Sequence, residues 1–146
     1  MEQAIQRIDH VAILVKQENL RSYVDRLSGI LGITFDEPMI SLSGMMVSFC
    51  WDAGLEVIVP TREEGAYWER LQRFGEGSVN IIFGVADLDK GMQRAVDNGG
   101  TLGREAQVKD DAAFLKRFSK FREVGVNAFG DELGCHFGLS EIVPID

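Results

Sequence analysis

A chain of 146 residues, 45% of them hydrophobic, is long enough to bury a core of its own and short enough for a single domain. Its formal net charge of −8 sets the molecule's field against nucleic acid and anionic membranes, so neither is an expected partner. No apolar run approaches the roughly 20 residues that a membrane-spanning helix needs, and the opening MEQAIQRIDH lacks a signal-peptide core, so a cytoplasmic location is expected.

In chain order, residues 7–15 (RIDHVAILV) form a nearly continuous apolar run bounded by charge and predict a strand. Leu20, Tyr23, Val24, Leu27, Ile30 and Leu31 then recur at helical spacing, ahead of Gly32, a residue suited to stop a helix. Phe35 to Pro38 predict a short edge or turn, MISLSGMMVSFCW one long strand or two short ones, and LEVIVP another strand after the Asp52–Gly54 turn. Pro60 closes that stretch, and TREEGAYWERLQRFGEG reads as a polar, partly helical connector. SVNIIFGV predicts a strand, and ADLDKGMQRAVDNGG a helix with Leu88, Met92 and Val96 at four-residue spacing and a Gly-Gly stop. TLGREAQV predicts a further strand, and residues 110–121 a loop with a helical turn. The basic stretch Lys116–Arg122, KRFSKFR, reads as a solvated helix face, with a small anion site as the alternative. REVGVNAFGDELGCHFGLSEI closes the chain with two strands around a turn at 130–134. The two cysteines, Cys50 and Cys135, lie in strand-like runs and read as reduced, buried thiols.

The second half repeats the first. IDHVAILV lies over SVNIIFGV, which sets His10 over Asn80 at an offset of 70, and DAGLEVIVP lies over ELGCHFGLS, which sets Glu56 over His136 at an offset of 80. The expected architecture is α+β: two βαβββ modules, about 7–60 and 78–142 with a connector at about 61–77, in one domain spanning 1–146. Neither module has enough strands to bury both of its faces. The two sheets are therefore expected to form a cup-shaped, partly open mixed β-barrel.

His10 and His136 are the two histidines of the chain, and each repeat-mate, Asn80 or Glu56, is also polar. An unpartnered polar group in an apolar strand costs on the order of 1–3 kcal/mol, so these four residues are expected to meet one another or a metal.

The pattern IDHVAILV…LEVIVPT…SVNIIFGVADLDKGMQRAVDNGG…GDELGCHFGLSEI resembles the vicinal oxygen chelate superfamily, which includes glyoxalases, methylmalonyl-CoA epimerases, extradiol dioxygenases, fosfomycin-modifying enzymes and bleomycin-binding proteins. The resemblance runs from about residue 7 to residue 142. It is nearest the glyoxalase and epimerase branch, through the IDH opening, the LEVIVPT end of module one and the VADLD helix entry. It implies a divalent metal inside the cup, held from the first and last strands of each module. Carried over, those positions are His10, Glu56, Asn80 and His136. Module two departs from the family, which commonly has a histidine and a glutamate where this chain has Asn80 and His136.

A set of two histidines and one carboxylate, with an amide oxygen to spare, suits Zn, Mn, Co, Ni or Fe(II) and leaves coordination positions open. The resemblance implies that a substrate fills them with two neighbouring oxygens while a base moves the proton on the adjacent carbon. Glu56 is the candidate base; Glu141, Asp131 and Glu132 are other carboxylates near the closing strands. Alternation sets Phe49, Trp51, Phe83, Phe129 and Phe137 along the cup wall, which fits an aromatic or ketonic small molecule. The expected function is a metal-dependent lyase, isomerase or epimerase acting on a small oxygen-bearing metabolite. The alternatives are an Fe(II) extradiol-type dioxygenase and a metal-free ligand- or drug-binding protein. A homodimer is expected, because the apolar strands MMVSFCW and VNIIFGV leave exposed edges in a lone subunit.

Overall fold

The computed structural model describes residues 3–41, 44–106, 113–128 and 136–145, the side chains of 113, 114 and 136 excepted. The elements are β1 (Ile5–Leu14), α1 (Leu20–Leu31), β2 (Met39–Ile40), β3 (Met45–Cys50), β4 (Leu55–Pro60), α2 (Ala66–Phe74), β5 (Gly77–Val85), α3 (Leu88–Asp97), β6 (Thr101–Glu105), β7 (Phe118–Asn127) and β8 (His136–Pro144). The fold is α+β, with a β-α-β-β-β order that occurs twice and α2 between the two occurrences. The stretch 39–50 divides into two strands because Gly44, at φ +82°, turns the chain back, and the Ser41 N–H then donates to the Met45 carbonyl. The basic stretch is a correction to the sequence reading. Lys116 and Arg117 end a short 3-10 turn, and Phe118 to Arg122 lie on β7, not on a helix face. The turn expected at 130–134, Cys135 and Phe129 lie outside the described residues.

The chain divides into two compact units, His10–Val79 and Met1–Asp9 with Asn80–Asp146, so that β1 contributes to both. In the first unit the strand order is β2-β3-β4-β1, with β1 parallel to β4 and the remaining neighbours antiparallel. One face of this sheet packs on α1, where Val15, Leu20, Val57 and Val59 are buried beneath Tyr23, Val24 and Leu27. Strand alternation turns His10, Ala12, Leu14, Glu56 and Ile58 to the opposite face. Gly32 ends α1 in the left-handed conformation, φ +67°, and returns its N–H to the Ser28 carbonyl.

In the second unit the order is β5-β8-β7-β6, with β5 parallel to β8 and the others antiparallel. Val85, Leu88, Val124, Val126 and Leu139 form the core beneath α3, joined by Phe83, Met92, Ala95 and Phe137. Phe83 and Phe137 meet edge to face with centroids 5.8 Å apart. They therefore fill the helix-side core, whereas the sequence reading set them on the cup wall. Alternation turns Asn80, Ile82, Gly84, Gly138 and Ser140 to the face away from α3. Two carboxylates tie down the start of α3: Asp87 accepts the Lys90 N–H at 3.0 Å, and Glu141 accepts the Leu88 N–H at 3.0 Å.

The two parallel ladders redraw the internal repeat. Ala12 pairs with Glu56 in one unit and Ile82 pairs with Gly138 in the other. The first strands thus match at an offset of 70 and the closing strands at 82, so the structural counterpart of Glu56 is Gly138. His136 lies two residues earlier on the same strand, opposite Asn127.

Candidate functional site

In the first unit the structure brings His10 and Glu56 together. His10 stands two residues before Ala12 on β1, and Ala12 is the β1 partner of Glu56 on the neighbouring parallel strand. The small Ala12 side chain leaves the diagonal open. His10 Nε2 lies 3.3 Å from Glu56 Oε2, with the imidazole 1% and the carboxylate side chain 12% exposed. Phe49 pairs with Glu56 across the β3-β4 ladder, and Trp51 follows two residues on. Their rings stack 4.2 Å apart and 8° from parallel, and each meets the His10 ring edge-on, with centroids 6.0 and 5.7 Å away. Phe49 and Trp51 are thus wall residues of this site, as alternation implied. Aromatic walls that keep water off an imidazole and a carboxylate strengthen the interaction between them and raise the cost of leaving either without a partner.

In the second unit Asn80 is half-buried on β5, on the face away from α3. His136 opens β8, and its side chain lies outside the described residues. Gly138, not a carboxylate, holds the place that mirrors Glu56. On the same face, Ser140 is fully buried and its Oγ has no hydrogen-bond partner among the described residues. The sequence carried no signal for the placement of Gly138 or Ser140, because neither type marks chemistry and only the ladder reveals their positions.

Glu141 has a different task from the one open to it on sequence grounds. Its Oε1 receives the Lys120 ammonium at 2.6 Å and its Oε2 the Leu88 N–H at 3.0 Å. Lys120 first, and the Leu88 N–H second, hold its carboxyl below the usual carboxylate range. A carboxylate so stabilised in its charged form is a poor proton acceptor, and this one anchors a helix. Arg122 forks onto Glu105 at 2.6 and 3.2 Å and reaches Asp89 at 3.0 Å. Glu105, then Asp89, push the Arg122 pKa further up, and Arg122 draws that of Asp89 down. Lys120 and Arg122 are thus matched by carboxylates of this chain, which leaves the anion-site alternative without support at those two residues.

An imidazole and a carboxylate on neighbouring strands, 3.3 Å apart and largely removed from water, fit two ligands of a divalent ion. In the second unit β5 carries the Asn80 amide, and Gly138 stands at the position that mirrors Glu56. No group of three or more His, Cys, Asp or Glu residues placed to hold a metal occurs among the described residues. No helix among them is long and apolar enough to cross a membrane.

Solved structures with this fold include several methylmalonyl-CoA epimerases. Methylmalonyl-CoA epimerase from Mycobacterium tuberculosis superposes with a TM-score of 0.76 at 21% identity, covering 99% of this chain and 93% of that one. A variant of the Streptomyces coelicolor enzyme in complex with 2-nitronate-propionyl-CoA gives 0.72 at 23% identity, covering 94% and 98%. A methylmalonyl-CoA epimerase in complex with methylmalonyl-CoA and NH4+ gives 0.73 at 23% identity, covering 94% and 95%. At these identities the likeness establishes the fold alone. No protein-family model matches the chain, and no curated protein does.

Proposed function

We propose that this protein is a metal-dependent epimerase, isomerase or lyase that moves a proton on a carbon next to two oxygen-bearing groups of a small metabolite. The observation that supports the reading is the His10–Glu56 pair, an imidazole and a carboxylate 3.3 Å apart behind stacked aromatic rings. In this proposal His10 and Glu56 hold a divalent ion, with Asn80 and His136 as the contributions of module two. The ion, drawn from Zn, Mn, Co, Ni or Fe(II), supplies Lewis-acid polarisation of the substrate's oxygens. As base, Glu56 accepts the proton from carbon as the C–H electron pair moves toward the adjacent carbonyl; inversion then requires that the opposite face of that carbon take a proton from solvent or a second acid. His10, packed against the stacked Phe49 and Trp51 rings, keeps the carboxylate in position, and the two rings shed water from the reacting carbon.

The solved neighbours suggest the substrate class to try first, since two of them were captured with methylmalonyl-CoA or a propionyl-CoA nitronate. Protein loaded with Co(II) or Mn(II) and given methylmalonyl-CoA in D2O is expected to incorporate deuterium at the α-carbon. Glu56→Gln is expected to slow that exchange by about 10²-fold or more. Equal exchange by wild type and Glu56→Gln contradicts the assignment of the base. A homodimer belongs to the same proposal, supported by Ile8 and Ile81, which remain 58% and 43% exposed on β1 and β5. Sedimentation at micromolar concentration showing only monomer contradicts it.

A further inference from the structure

Within the unit made of Met1–Asp9 and Asn80–Asp146, an arginine crosses a glycine beside a buried hydroxyl. Gly84 on β5 pairs with Ser140 on β8, and Ser140 pairs in turn with Glu123 on β7. Directly paired residues share a face, so the row runs glycine, hydroxyl, carboxylate. The place where a side chain at 84 would stand is taken by Arg7. A Cβ built on Gly84 would lie 3.3 Å from Arg7 Cγ, 3.6 Å from its Nε and 3.5 Å from its guanidinium carbon. A glycine at 84 keeps that path across β5 clear. The guanidinium so placed donates from Nη2 to the Ile142 carbonyl on β8 at 3.4 Å, and from the same nitrogen to Asp9 Oδ1 at 3.0 Å.

Ser140 is 0% exposed, and its Oγ has no hydrogen-bond partner among the described residues. A buried hydroxyl in that state has lost its water and gained no bond in return. The neighbouring arginine is lightly held. Its side chain is 47% exposed, so the pair with Asp9 is screened by solvent, and both of its bonds run from one nitrogen. Turning it outward releases both bonds, bares Gly84 and opens the Ser140 hydroxyl to a partner, and the bond that the hydroxyl then makes offsets part of what Arg7 gives up.

We propose that Arg7 is a displaceable cover, and that the space it fills over Gly84 is a subsite in which Ser140 Oγ hydrogen-bonds an uncharged carbonyl or hydroxyl group of a ligand. The surrounding charges select against an anion, because Asp9 already matches Arg7 and Glu123 flanks Ser140 from the next strand.

Ser140→Cys makes the cover measurable. Modification at position 140, located by peptide mass spectrometry, is followed with neutral methyl methanethiosulfonate and with its negatively charged sulfonatoethyl analogue, each rate taken relative to free cysteine. Arg7→Ala is expected to speed modification by the neutral reagent at least about tenfold, and Gly84→Val in that background to slow it again. The neutral reagent is expected to react faster than the anionic one. A rate that Arg7→Ala leaves unchanged overturns the cover, and an anionic reagent as fast as the neutral one overturns the choice of an uncharged ligand. Should Ser140→Cys not fold, a stability cycle serves instead. Ser140→Ala is expected to raise the unfolding midpoint while Arg7 is present, where it removes a hydroxyl that makes no bond, and to raise it less after Arg7→Ala; equal effects in both backgrounds overturn the proposal.

Discussion

Glu141→Gln isolates the contact that fixes α3 to its sheet. The substitution preserves shape but removes the charge that accepts the Leu88 N–H at 3.0 Å and the Lys120 ammonium at 2.6 Å. A hydrogen bond to a charged group is worth about 1.5–3 kcal/mol against about 1 for a neutral one, so loss of charge assistance at the buried N–H costs about 1 kcal/mol. The Lys120 side chain is 49% exposed, so its ion pair is screened and adds about 0.5 kcal/mol. The total of about 1.5 kcal/mol corresponds, at about 0.3 kcal/mol/K for a chain of this length, to a fall of about 5 °C in Tm. The pH dependence has a definite sign. Glu141's folded pKa is depressed by Lys120 and the Leu88 N–H, so its stabilisation is fully present above the unfolded carboxylate value and is lost as pH falls through the folded one. Thermal unfolding followed by circular dichroism at neutral pH and in acid should therefore show a gap between wild type and Glu141→Gln that closes on acidification. A gap that is absent at neutral pH, or that persists unchanged below the folded pKa, refutes this account of how α3 is held.

Gly32→Ala is expected to cost about 1 kcal/mol in chemical denaturation: an added Cβ has open space around it, but the φ of +67° remains unfavourable for it. A stability equal to wild type would mean that α1 ends differently in solution. Leu88→Ala, at a fully buried position in the α3 core, should cost about 3 kcal/mol and lower the urea midpoint without changing the slope. A loss under about 1 kcal/mol would contradict that packing.

What could be read in the sequence followed from long, unambiguous periodicities. The runs at β1, β4 and β5 are apolar enough to read as strands, and α3 carries its own start at Asp87 and its stop at Gly99 and Gly100. The pair His10 and Glu56 was legible for the same reason, since each interrupts an otherwise apolar strand. The register of β8 was not. Residues two apart on a strand point to the same face, so aligning by similarity could not separate position 136 from 138, and only hydrogen-bonded pairing makes Gly138 the partner of Ile82. The stretch KRFSKFR misled through its spacing. Phe118 and Phe121 are three apart, as on a helix, and their rings do lie 6.0 Å from each other. A register shift between Phe118 and Lys120 in the β7-β8 ladder allows that spacing on a strand. Phe83 and Phe137 were set on the wrong face because alternation separates the two faces of a strand without saying which of them lies beneath the helix.

The most direct test of the central claim is metal binding by wild type and Glu56→Gln, purified without chelator and titrated with Mn(II) and Ni(II). The account predicts one ion per chain for wild type and a loss of at least about tenfold in affinity for Glu56→Gln, because the variant removes the carboxylate that lies 3.3 Å from His10. Undiminished binding in Glu56→Gln would contradict it.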